Sequence, residues 1–237
     1  IKAVKDKNAD IGIALDGDGD RLGVVDSEGK IIFPDRYLAL MASEILKKNK
    51  SRKIVYDIKC SNQLGEVIKE NNGIPIMTKT GHSYIKSEIS KSNAILGGEM
   101  SGHIFYNDNW YGFDDGIFAA LKLLEILSSK ESTTHEVFNK FTQLFNTPEI
   151  KIAVEDDEKF EIVEQLKVKL KPEGYNSILI DGLRLENKDC WGLVRASNTT
   201  PSLILRFEAN TEQKLMEIQE LFQKTLLEIS TNLKFLN

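Results

Sequence analysis

Blocks of apolar and polar positions alternate along the first 145 residues in a way that predicts strands followed by helices. Short apolar runs rich in β-branched residues predict strands over residues 10–15, 21–26, 31–33, 53–57, 74–79, 94–96 and 104–106. Apolar positions three and four apart predict helices over residues 34–46, 62–70, 83–92 and 116–127. This alternation is typical of a mainly parallel sheet with helices on its faces.

The pattern changes near residues 144–148, after which short strands cluster between two helices. Strands are predicted over residues 149–154, 177–180, 183–186, 191–195 and 203–209, and helices over residues 156–170 and 212–229, with Thr211 capping the last helix. We therefore predict an α/β fold. A mixed, mainly parallel sheet domain with helices on its faces is followed by a smaller α+β domain with an antiparallel sheet.

Residue types at the helix ends support these assignments. Pro34 and Asp35 favour the start of the first long helix, and its end in Lys47-Lys48-Asn49-Lys50 suits the negative end of the helix dipole. Asp114 is the predicted N-cap of the helix over residues 116–127. His135 lies in a polar helix start, where we expect it to be solvated.

The stretch Asp16-Gly17-Asp18-Gly19-Asp20-Arg21 lies between two apolar runs and has the clearest chemistry. Residues two apart in an extended backbone project to the same side, so the three carboxylates can converge, and the glycines put no side chain in the way. Converging carboxylates repel one another unless a cation neutralises them. An all-oxygen ligand set favours Mg²⁺, Mn²⁺ or Ca²⁺ over zinc, with further positions open to water or phosphate.

Two other interpretations fit part of this stretch. An Asp/Gly-rich segment after a strand is often only a turn, although turn chemistry alone does not demand strict alternation. The calcium loop of an EF-hand shares the first three acidic positions but needs Gly at the sixth position and Glu at the twelfth. Those places hold Arg21 and Ser27, so the EF-hand pattern fails twice.

Composition narrows the class of protein. The chain has 237 residues, of which 41% are hydrophobic and 28% charged, and its net charge of −5 argues against a nucleic-acid-binding protein. No apolar run approaches the roughly 20 residues that span a bilayer, so we expect no membrane association. The first residue is Ile1, so we expect the sequence to begin partway through a longer protein. Cys60 and Cys190 are expected to be free thiols in the cytoplasm.

Three further loops carry candidate binding residues. Gly97-Gly98-Glu99-Met100-Ser101-Gly102-His103 offers a carboxylate that could accept two hydroxyls of a sugar, although a surface hairpin is the alternative. His82 follows Gly81 at a strand end, and Lys59 also follows a strand, where it could bind a phosphate or simply pair with Asp57.

The loop Arg195-Ala196-Ser197-Asn198-Thr199-Thr200-Pro201 joins two predicted strands. A guanidinium, several hydroxyls and backbone N–H groups together match the geometry and charge of a phosphate. The alternative is a turn whose strand-end arginine forms a salt bridge with a carboxylate.

Taken together, these loops resemble the α-D-phosphohexomutase superfamily, and within it the bacterial phosphomannomutase/phosphoglucomutase branch. Matching motifs occur in the family's order: Asp16 to Arg21, Lys79-Thr80-Gly81-His82-Ser83, Gly98 to His103, Trp110-Tyr111-Gly112-Phe113-Asp114-Asp115 and Arg195 to Pro201. The resemblance implies that residues 1–33 are the end of the metal-binding second domain. It likewise implies that residues 34–145 are the sugar-binding third domain and residues 146–237 the phosphate-binding fourth domain.

The resemblance also implies roles for individual residues. The implied cofactor is Mg²⁺, bound by Asp16, Asp18 and Asp20, with Arg21 stabilising the phosphoryl group in transfer. The implied contacts to the hexose phosphate substrate are Lys59, Gly81, His82, Glu99, Ser101 and His103, with His82 a candidate proton shuttle. The implied ligands of the phosphate that is not transferred are Arg195, Ser197, Asn198 and Thr199.

The implied reaction interconverts hexose 1-phosphate and hexose 6-phosphate, of mannose or glucose, through a bisphosphorylated sugar. The family's phosphoserine lies in a Ser-His-Asn-Pro loop that this sequence lacks, so we expect a fragment that does not turn over alone, from a protein that is a monomer when complete. The rivals are a Mg²⁺-dependent sugar phosphatase, a non-catalytic sugar-phosphate-binding protein and a calcium-binding module.

Overall fold

The computed structural model of the chain describes residues 1–49 and 52–235. The chain divides into two compact units, Ile1–Thr142 (unit 1) and Gln143–Asn237 (unit 2). Within the described ranges, none of the helices is both long enough and apolar enough to cross a membrane.

Unit 1 alternates helices and strands around two sheets. Its elements are α1 (Lys2–Lys7), β1 (Ile11–Leu15), β2 (Leu22–Asp26), β3 (Ile31–Ile32), α2 (Pro34–Lys48), β4 (Lys53–Asp57), α3 (Asn62–Glu70), β5 (Ile74–Thr78), α4 (His82–Ser92), β6 (Leu96–Gly98), β7 (Ile104–Tyr106), α5 (Gly116–Ser128) and α6 (Thr134–Asn139). The small sheet β1–β2–β3 is antiparallel. In the larger sheet, ordered β5–β4–β6–β7, β4 runs parallel to β5 and β6, and β7 is antiparallel.

One hydrophobic cluster joins the two sheets of unit 1. Helix α2 packs against β2, β6 and α5, so its apolar residues are buried along most of its length. Tyr37 of this helix is fully buried and donates a hydrogen bond of 2.6 Å to the carbonyl of Leu22. The small sheet that carries residues 16–21 is therefore held firmly on the helix that covers the larger sheet.

Some of the residues predicted at the helix ends are found there, and one is not. Lys47 and Lys48 lie in the last turn of α2, as predicted, and Lys50 lies outside the described residues. The predicted cap of α5 is wrong: Asp115, not Asp114, accepts a hydrogen bond of 2.8 Å from the backbone N–H of Phe118. Asp114 is drawn away because its carboxylate pairs with Lys86 at 3.0 Å.

The turn between β2 and β3 is organised by a buried carboxylate. Asp26 is fully buried and accepts hydrogen bonds from the backbone N–H groups of Glu28 and Lys30 at 3.0 and 2.9 Å. The expectation that His135 is solvated is wrong, because its Nδ1 lies 2.8 Å from Asp26 Oδ2. This pair fastens α6 to the turn.

Unit 2 is an α+β domain with an antiparallel sheet, as predicted. Its elements are β8 (Phe145–Asn146), β9 (Ile150–Ala153), α7 (Glu158–Lys169), β10 (Asn176–Ile178), β11 (Leu183–Glu186), β12 (Cys190–Ala196), β13 (Ser202–Ala209) and α8 (Glu212–Ile229). The sheet order is β10–β11–β12–β13–β8, and β9 also pairs with β13. Thr211 caps α8 by accepting a hydrogen bond from Lys214 N, and Cys60 and Cys190 are free and buried, as expected.

Gly182 provides a stability test within unit 2. Gly182 and Gly174 both have φ of +81°, but an added Cβ would lie 2.2 Å from the Val194 carbonyl at Gly182 and in open space at Gly174. We expect Gly174→Ala to cost about 1–2 kcal/mol through backbone strain alone, and Gly182→Ala to cost at least about 1 kcal/mol more. Urea unfolding of the two variants measures the difference, and equal losses would contradict the steric account.

Candidate functional site

The loop that joins β1 to β2, residues 16–21, gathers three carboxylates. One oxygen from each of Asp16, Asp18 and Asp20 lies within 4.8 Å of the others. The turn is closed by a hydrogen bond of 3.3 Å from Gly19 N to the Asp16 carbonyl, with Gly19 at φ of +76°. The predicted convergence of these side chains is therefore present in the fold.

Arg21 engages both oxygens of Asp16. Its backbone N–H donates to Oδ1 at 3.2 Å, and its Nε donates to Oδ2 at 2.5 Å. Burial acts to raise the pKa of Asp16, but the hydrogen bonds and charge of Arg21 hold that pKa below its ordinary value. Asp16 is therefore kept ionised, as a metal ligand must be.

Asp20 has the opposite electrostatic setting. Burial raises its pKa, His103 opposes the rise, and the charges of Asp18 and Asp16 add to it. Its Oδ1 atom is buried without a hydrogen-bond partner. Arg21 Nε is 3.8 Å from this oxygen, beyond hydrogen-bond distance. A buried carboxylate oxygen that accepts no hydrogen bond fits a hard divalent cation, and an all-oxygen donor set fits Mg²⁺.

Backbone contacts fix this loop against two other elements. Leu22 N donates to the Gly102 carbonyl at 3.0 Å, and Arg21 and His103 form an antiparallel bridge. Gly116, at the start of α5, donates its N–H to the Gly19 carbonyl at 3.1 Å. The acidic loop is thus attached directly to the hairpin that carries Glu99.

The hairpin over residues 99–103 closes on itself through its backbone. Glu99 N donates to the His103 carbonyl at 2.9 Å, and Gly102 N donates to the Glu99 carbonyl at 3.1 Å. Glu99 is only 2% exposed, yet it is ionisable. Its Oε1 accepts a hydrogen bond of 2.5 Å from Gly81 N, and Ser101 Oγ lies 3.4 Å from its Oε2.

Among the acidic residues of the site, Glu99 has the most strongly raised pKa. Burial raises its pKa to about 7, and the charge of Asp57 adds to the rise. The Gly81 N–H, the Lys59 ammonium and the Ser101 hydroxyl oppose it. A buried carboxyl group whose pKa is raised towards neutrality is typical of a functional position.

The loop after β5 brings His82 towards the same hairpin. Gly81 caps α4 with φ of +133°, and the helix begins at His82, one residue earlier than predicted. The rings of His82 and His103 lie 5.9 Å apart between centroids. The side chain of His82 is 58% exposed, with Nδ1 3.7 Å from Asp114 Oδ2. It is therefore available to a ligand.

Asp114 is a functional candidate that the sequence reasoning missed. Its Oδ2 lies 3.3 Å from His103 Nδ1, and that nitrogen lies 3.6 Å from Asp20 Oδ2. Burial lowers the pKa of His103, although the charges of both carboxylates oppose this change. Burial acts to raise the pKa of Asp114, but the hydrogen bond and charge of Lys86 keep that pKa below its ordinary value. The sequence signal for Asp114 is its place as the first of the two acidic residues in the Trp110 to Asp115 segment.

Lys59 lies at the end of β4, inside unit 1. It is 6% exposed, and its Nζ lies 3.9 Å from Asp57 Oδ2. The pairing with Asp57 that the sequence left open is therefore present. An ammonium group at this distance from a carboxylate can still donate to an additional anionic ligand.

The phosphate-binding candidates of unit 2 lie in the loop between β12 and β13. Arg195 is buried, and its Nε donates a hydrogen bond of 2.8 Å to Asp181 Oδ2, which is the carboxylate pairing considered as the alternative. Ser197 is also buried, and its Oγ accepts from Thr199 N, Thr200 N and Thr200 Oγ1 at 3.3, 3.2 and 2.8 Å. Asn198 and Thr199 are exposed at the tip.

The predicted site residues form one group in each unit. In unit 1 the acidic loop, the Glu99 hairpin, the end of β4 and the loop after β5 form a connected set. The contacts that join them are the Arg21–His103 bridge, the Gly81–Glu99 hydrogen bond and the hydrogen bonds to Asp57. In unit 2, Ser197 shapes the loop from inside while Asn198 and Thr199 face outwards.

Comparison with known proteins finds two matching family profiles and several similar proteins. Residues 33–145 match the family profile described as phosphoglucomutase/phosphomannomutase, alpha/beta/alpha domain III, and residues 149–224 match the C-terminal domain of the same family. The chain is 48% identical over 233 residues to the phosphomannomutase/phosphoglucomutase of Pseudomonas syringae pv. tomato, covering 98% of this chain and 50% of that protein. It is also 48% identical over 235 residues to a phosphoglucomutase of Neisseria meningitidis serogroup A, covering 98% of this chain and 51% of that protein.

A solved structure shows the same fold. The phosphoglucomutase/phosphomannomutase family protein from Burkholderia thailandensis superimposes with a TM-score of 0.92 at 42% identity, covering 99% of this chain and 50% of that one. The chain thus spans about half the length of the curated relatives it matches. The resemblance inferred from the motifs is confirmed, and the chain belongs to the phosphoglucomutase/phosphomannomutase family, of which it contains domain III and the C-terminal domain.

Proposed function

We propose that this chain is the sugar-binding and phosphate-binding part of a phosphohexomutase. The enzyme would interconvert the 1-phosphate and 6-phosphate of mannose or glucose through a bisphosphorylated sugar and a phosphoserine. In this proposal residues 1–33 complete a metal-binding domain, residues 34–145 bind the sugar and residues 146–237 bind the distant phosphate.

The attachment of the acidic loop to the Glu99 hairpin is the observation that carries the proposal. Through the Arg21–His103 bridge, the cluster that fits a cation and the carboxylate that fits a sugar diol share one backbone framework. When bound by Asp16, Asp18 and Asp20, Mg²⁺ would supply positive charge for a phosphoryl group in transfer. A mutase needs both features side by side, because the phosphoryl group moves to and from the sugar itself.

The remaining residues of unit 1 position the substrate and its protons. Arg21, whose side chain is 52% exposed, would stabilise negative charge on the phosphoryl oxygens. Glu99 would accept sugar hydroxyls, with Lys59, Gly81, Ser101 and His103 as further contacts. His82 is the proposed proton shuttle because its imidazole is exposed and lies beside His103 of the Glu99 hairpin.

The loop of unit 2 supplies an anchor of the kind that a remote phosphate needs. Arg195 has its Nε held by Asp181, which orients the guanidinium plane, and Ser197 fixes the turn that presents Asn198 and Thr199. Binding energy gained far from the reacting oxygen can be used to position that oxygen. The same anchor would hold either phosphate as the sugar binds in its two orientations.

The phosphoryl donor is not among these residues. No Ser-His-Asn-Pro stretch occurs in the 237-residue sequence, so the proposed reaction needs a phosphoserine from another polypeptide segment. Binding of glucose 1,6-bisphosphate should therefore be observed without turnover. Turnover should appear when the phosphorylated N-terminal half of a relative is added.

The test combines calorimetry with an enzyme assay. We expect saturable binding of glucose 1,6-bisphosphate in the presence of Mg²⁺ and no phosphate release from glucose 1-phosphate by the chain alone. Steady phosphate release would instead support the sugar phosphatase, and binding without any turnover in the reconstituted enzyme would support a non-catalytic binding protein. Preference for Ca²⁺ over Mg²⁺ would support the calcium module.

Arg195→Lys tests the anchor. We expect a loss of affinity for glucose 1,6-bisphosphate of about tenfold, because lysine keeps the charge but loses the planar fork that matches phosphate. Calorimetric titration measures the change, with Asp157→Asn, at an exposed position of unit 2, as the control. Unchanged affinity for Arg195→Lys would remove this loop from the site.

A further inference from the structure

Asp57 occupies a special place in the sheet of unit 1. It is the last residue of β4, which lies between β5 and β6 and runs parallel to both. The carboxyl ends of the three strands therefore meet at one edge, with the end of β4 in the middle. A side chain at this position can reach the loops on both sides.

The carboxylate of Asp57 uses that reach. Asp57 is fully buried, and its Oδ2 accepts a hydrogen bond of 3.1 Å from the hydroxyl of Thr80, in the loop after β5. Its Oδ1 accepts a hydrogen bond of 3.0 Å from Met100 N, in the hairpin after β6. The same oxygen lies 3.1 Å from the thiol of Cys60, and Lys59 Nζ lies 3.9 Å from Oδ2.

These contacts of Asp57 lie beside both partners of the hydrogen bond from Gly81 N to Glu99 Oε1. Met100 follows Glu99 directly, and Thr80 precedes Gly81, whose N–H donates to Glu99 Oε1. One carboxylate thus holds the backbone beside the donor and the backbone beside the acceptor. All of its neighbours at hydrogen-bond distance are donors, which an ionised carboxylate, being only an acceptor, can satisfy together.

We propose that Asp57 is a positioning residue of the sugar site, holding the Glu99 hairpin and the loop after β5 in the arrangement that the ligand requires. The proposal rests on the function proposed above, in which Glu99 binds the sugar. No direct contact between Asp57 and the ligand is needed, because Asp57 acts through Glu99, Gly81 and Lys59.

The electrostatics agree with this role. After burial, the charge of Asp57 is the largest influence that raises the pKa of Glu99, and it is opposed by Gly81 N–H, Lys59 and Ser101. Asp57→Asn keeps the size of the side chain, removes that charge and turns an NH₂ group towards donors. Two changes should follow in the ligand-free chain: a lower pKa of Glu99 and displaced amides of Gly81 and Met100.

The experiment follows both changes by NMR in the full chain and then measures affinity for glucose 1,6-bisphosphate. We expect Asp57→Asn to move the Glu99 carboxyl titration to lower pH, to shift the Gly81 and Met100 amide resonances, and to weaken binding at least about tenfold. The control is Asp26→Asn, which alters another fully buried, turn-organising carboxylate of unit 1. It should leave the Glu99 titration and the affinity unchanged.

A second variant protects the test against misfolding. Thr80→Val removes only the hydroxyl that donates to Asp57, so it should shift the Gly81 amide and weaken binding by a smaller factor. An unshifted Glu99 titration and Gly81 amide in Asp57→Asn would overturn the proposal, as would equal losses of affinity in Asp57→Asn and Asp26→Asn. Failure of the wild-type chain to bind the bisphosphate would overturn the proposed function instead, while the ligand-free measurements would still decide the effect of Asp57.

Discussion

Replacing Asp18 with Asn is expected to weaken Mg²⁺ binding by at least about tenfold, because one of the three carboxylates of the proposed cation site loses its charge. Asp18 is exposed, so the substitution leaves the buried contacts of the loop in place. Isothermal titration with Mg²⁺ alone measures the effect without requiring turnover. The circular dichroism spectrum and the unfolding midpoint should stay close to those of the wild-type chain.

Asp6→Asn is the matched control for this experiment. Asp6 is an exposed aspartate of α1, so the control makes the same change in net charge outside the carboxylate cluster. It should lower Mg²⁺ affinity only slightly. Equal losses of Mg²⁺ affinity in both variants would mean that the carboxylate cluster acts only through its general negative charge. Unchanged Mg²⁺ affinity in Asp18→Asn would exclude the cluster as the cation site.

Replacing Glu99 with Gln is expected to stabilise the chain at pH 8 and to have little effect at pH 5. The folded-state pKa of Glu99 is raised to about 7 from an ordinary value of 4.5. Stability is therefore fully present below pH 4.5 and is lost as the pH rises towards 7, because the buried group must then ionise. The loss amounts to at most about 3 kcal/mol, which Gln avoids by staying neutral.

Urea unfolding at the two pH values measures this effect. The difference between Glu99→Gln and the wild-type chain should grow by about 1–3 kcal/mol from pH 5 to pH 8. Glu66→Gln, at an exposed position of α3, should show no such growth. A constant difference would mean that Glu99 titrates at an ordinary pKa. In the proposed function Glu99 contacts the sugar, so the same variant should also bind a sugar less tightly, with stability gained at the expense of affinity.

Local signals explain why most elements could be predicted from the sequence. Helix α3 occupies the predicted residues 62–70, because an N-cap serine and an Asn-Asn-Gly end delimit its apolar repeat. The antiparallel sheet of unit 2 likewise follows from short apolar runs separated by turn residues. In each case the deciding information lies within a few residues of the element.

Elements without strong local signals were harder to predict. Helix α1 was missed because four of its six residues are charged and its only buried side chain is Val4. The cap of α5 was assigned to the wrong one of two adjacent aspartates, since both suit the position locally. The contact of Asp114 with Lys86, 28 residues away, decides between them.

The residues missed at the site have distant partners. Asp57 bonds to Thr80 and Met100, which are 23 and 43 residues away along the chain. A sequence pattern shows that each loop follows a strand, but it does not show which carboxylate joins them. The motifs therefore identified side chains that can contact a ligand. The order of the strands in the sheet was needed to find Asp57, the carboxylate that joins their loops.

The pairing of Arg21 with both oxygens of Asp16 has a consequence for cooperativity. In the proposed metal site a cation and Arg21 would compete for the same carboxylate, so Mg²⁺ would have to bind against the existing ion pair. A sugar phosphate that attracts the guanidinium would release Asp16 to the cation. By thermodynamic reciprocity, each ligand would then increase the affinity for the other. The complex with both the cation and the sugar phosphate would be favoured over the complex with either ligand alone.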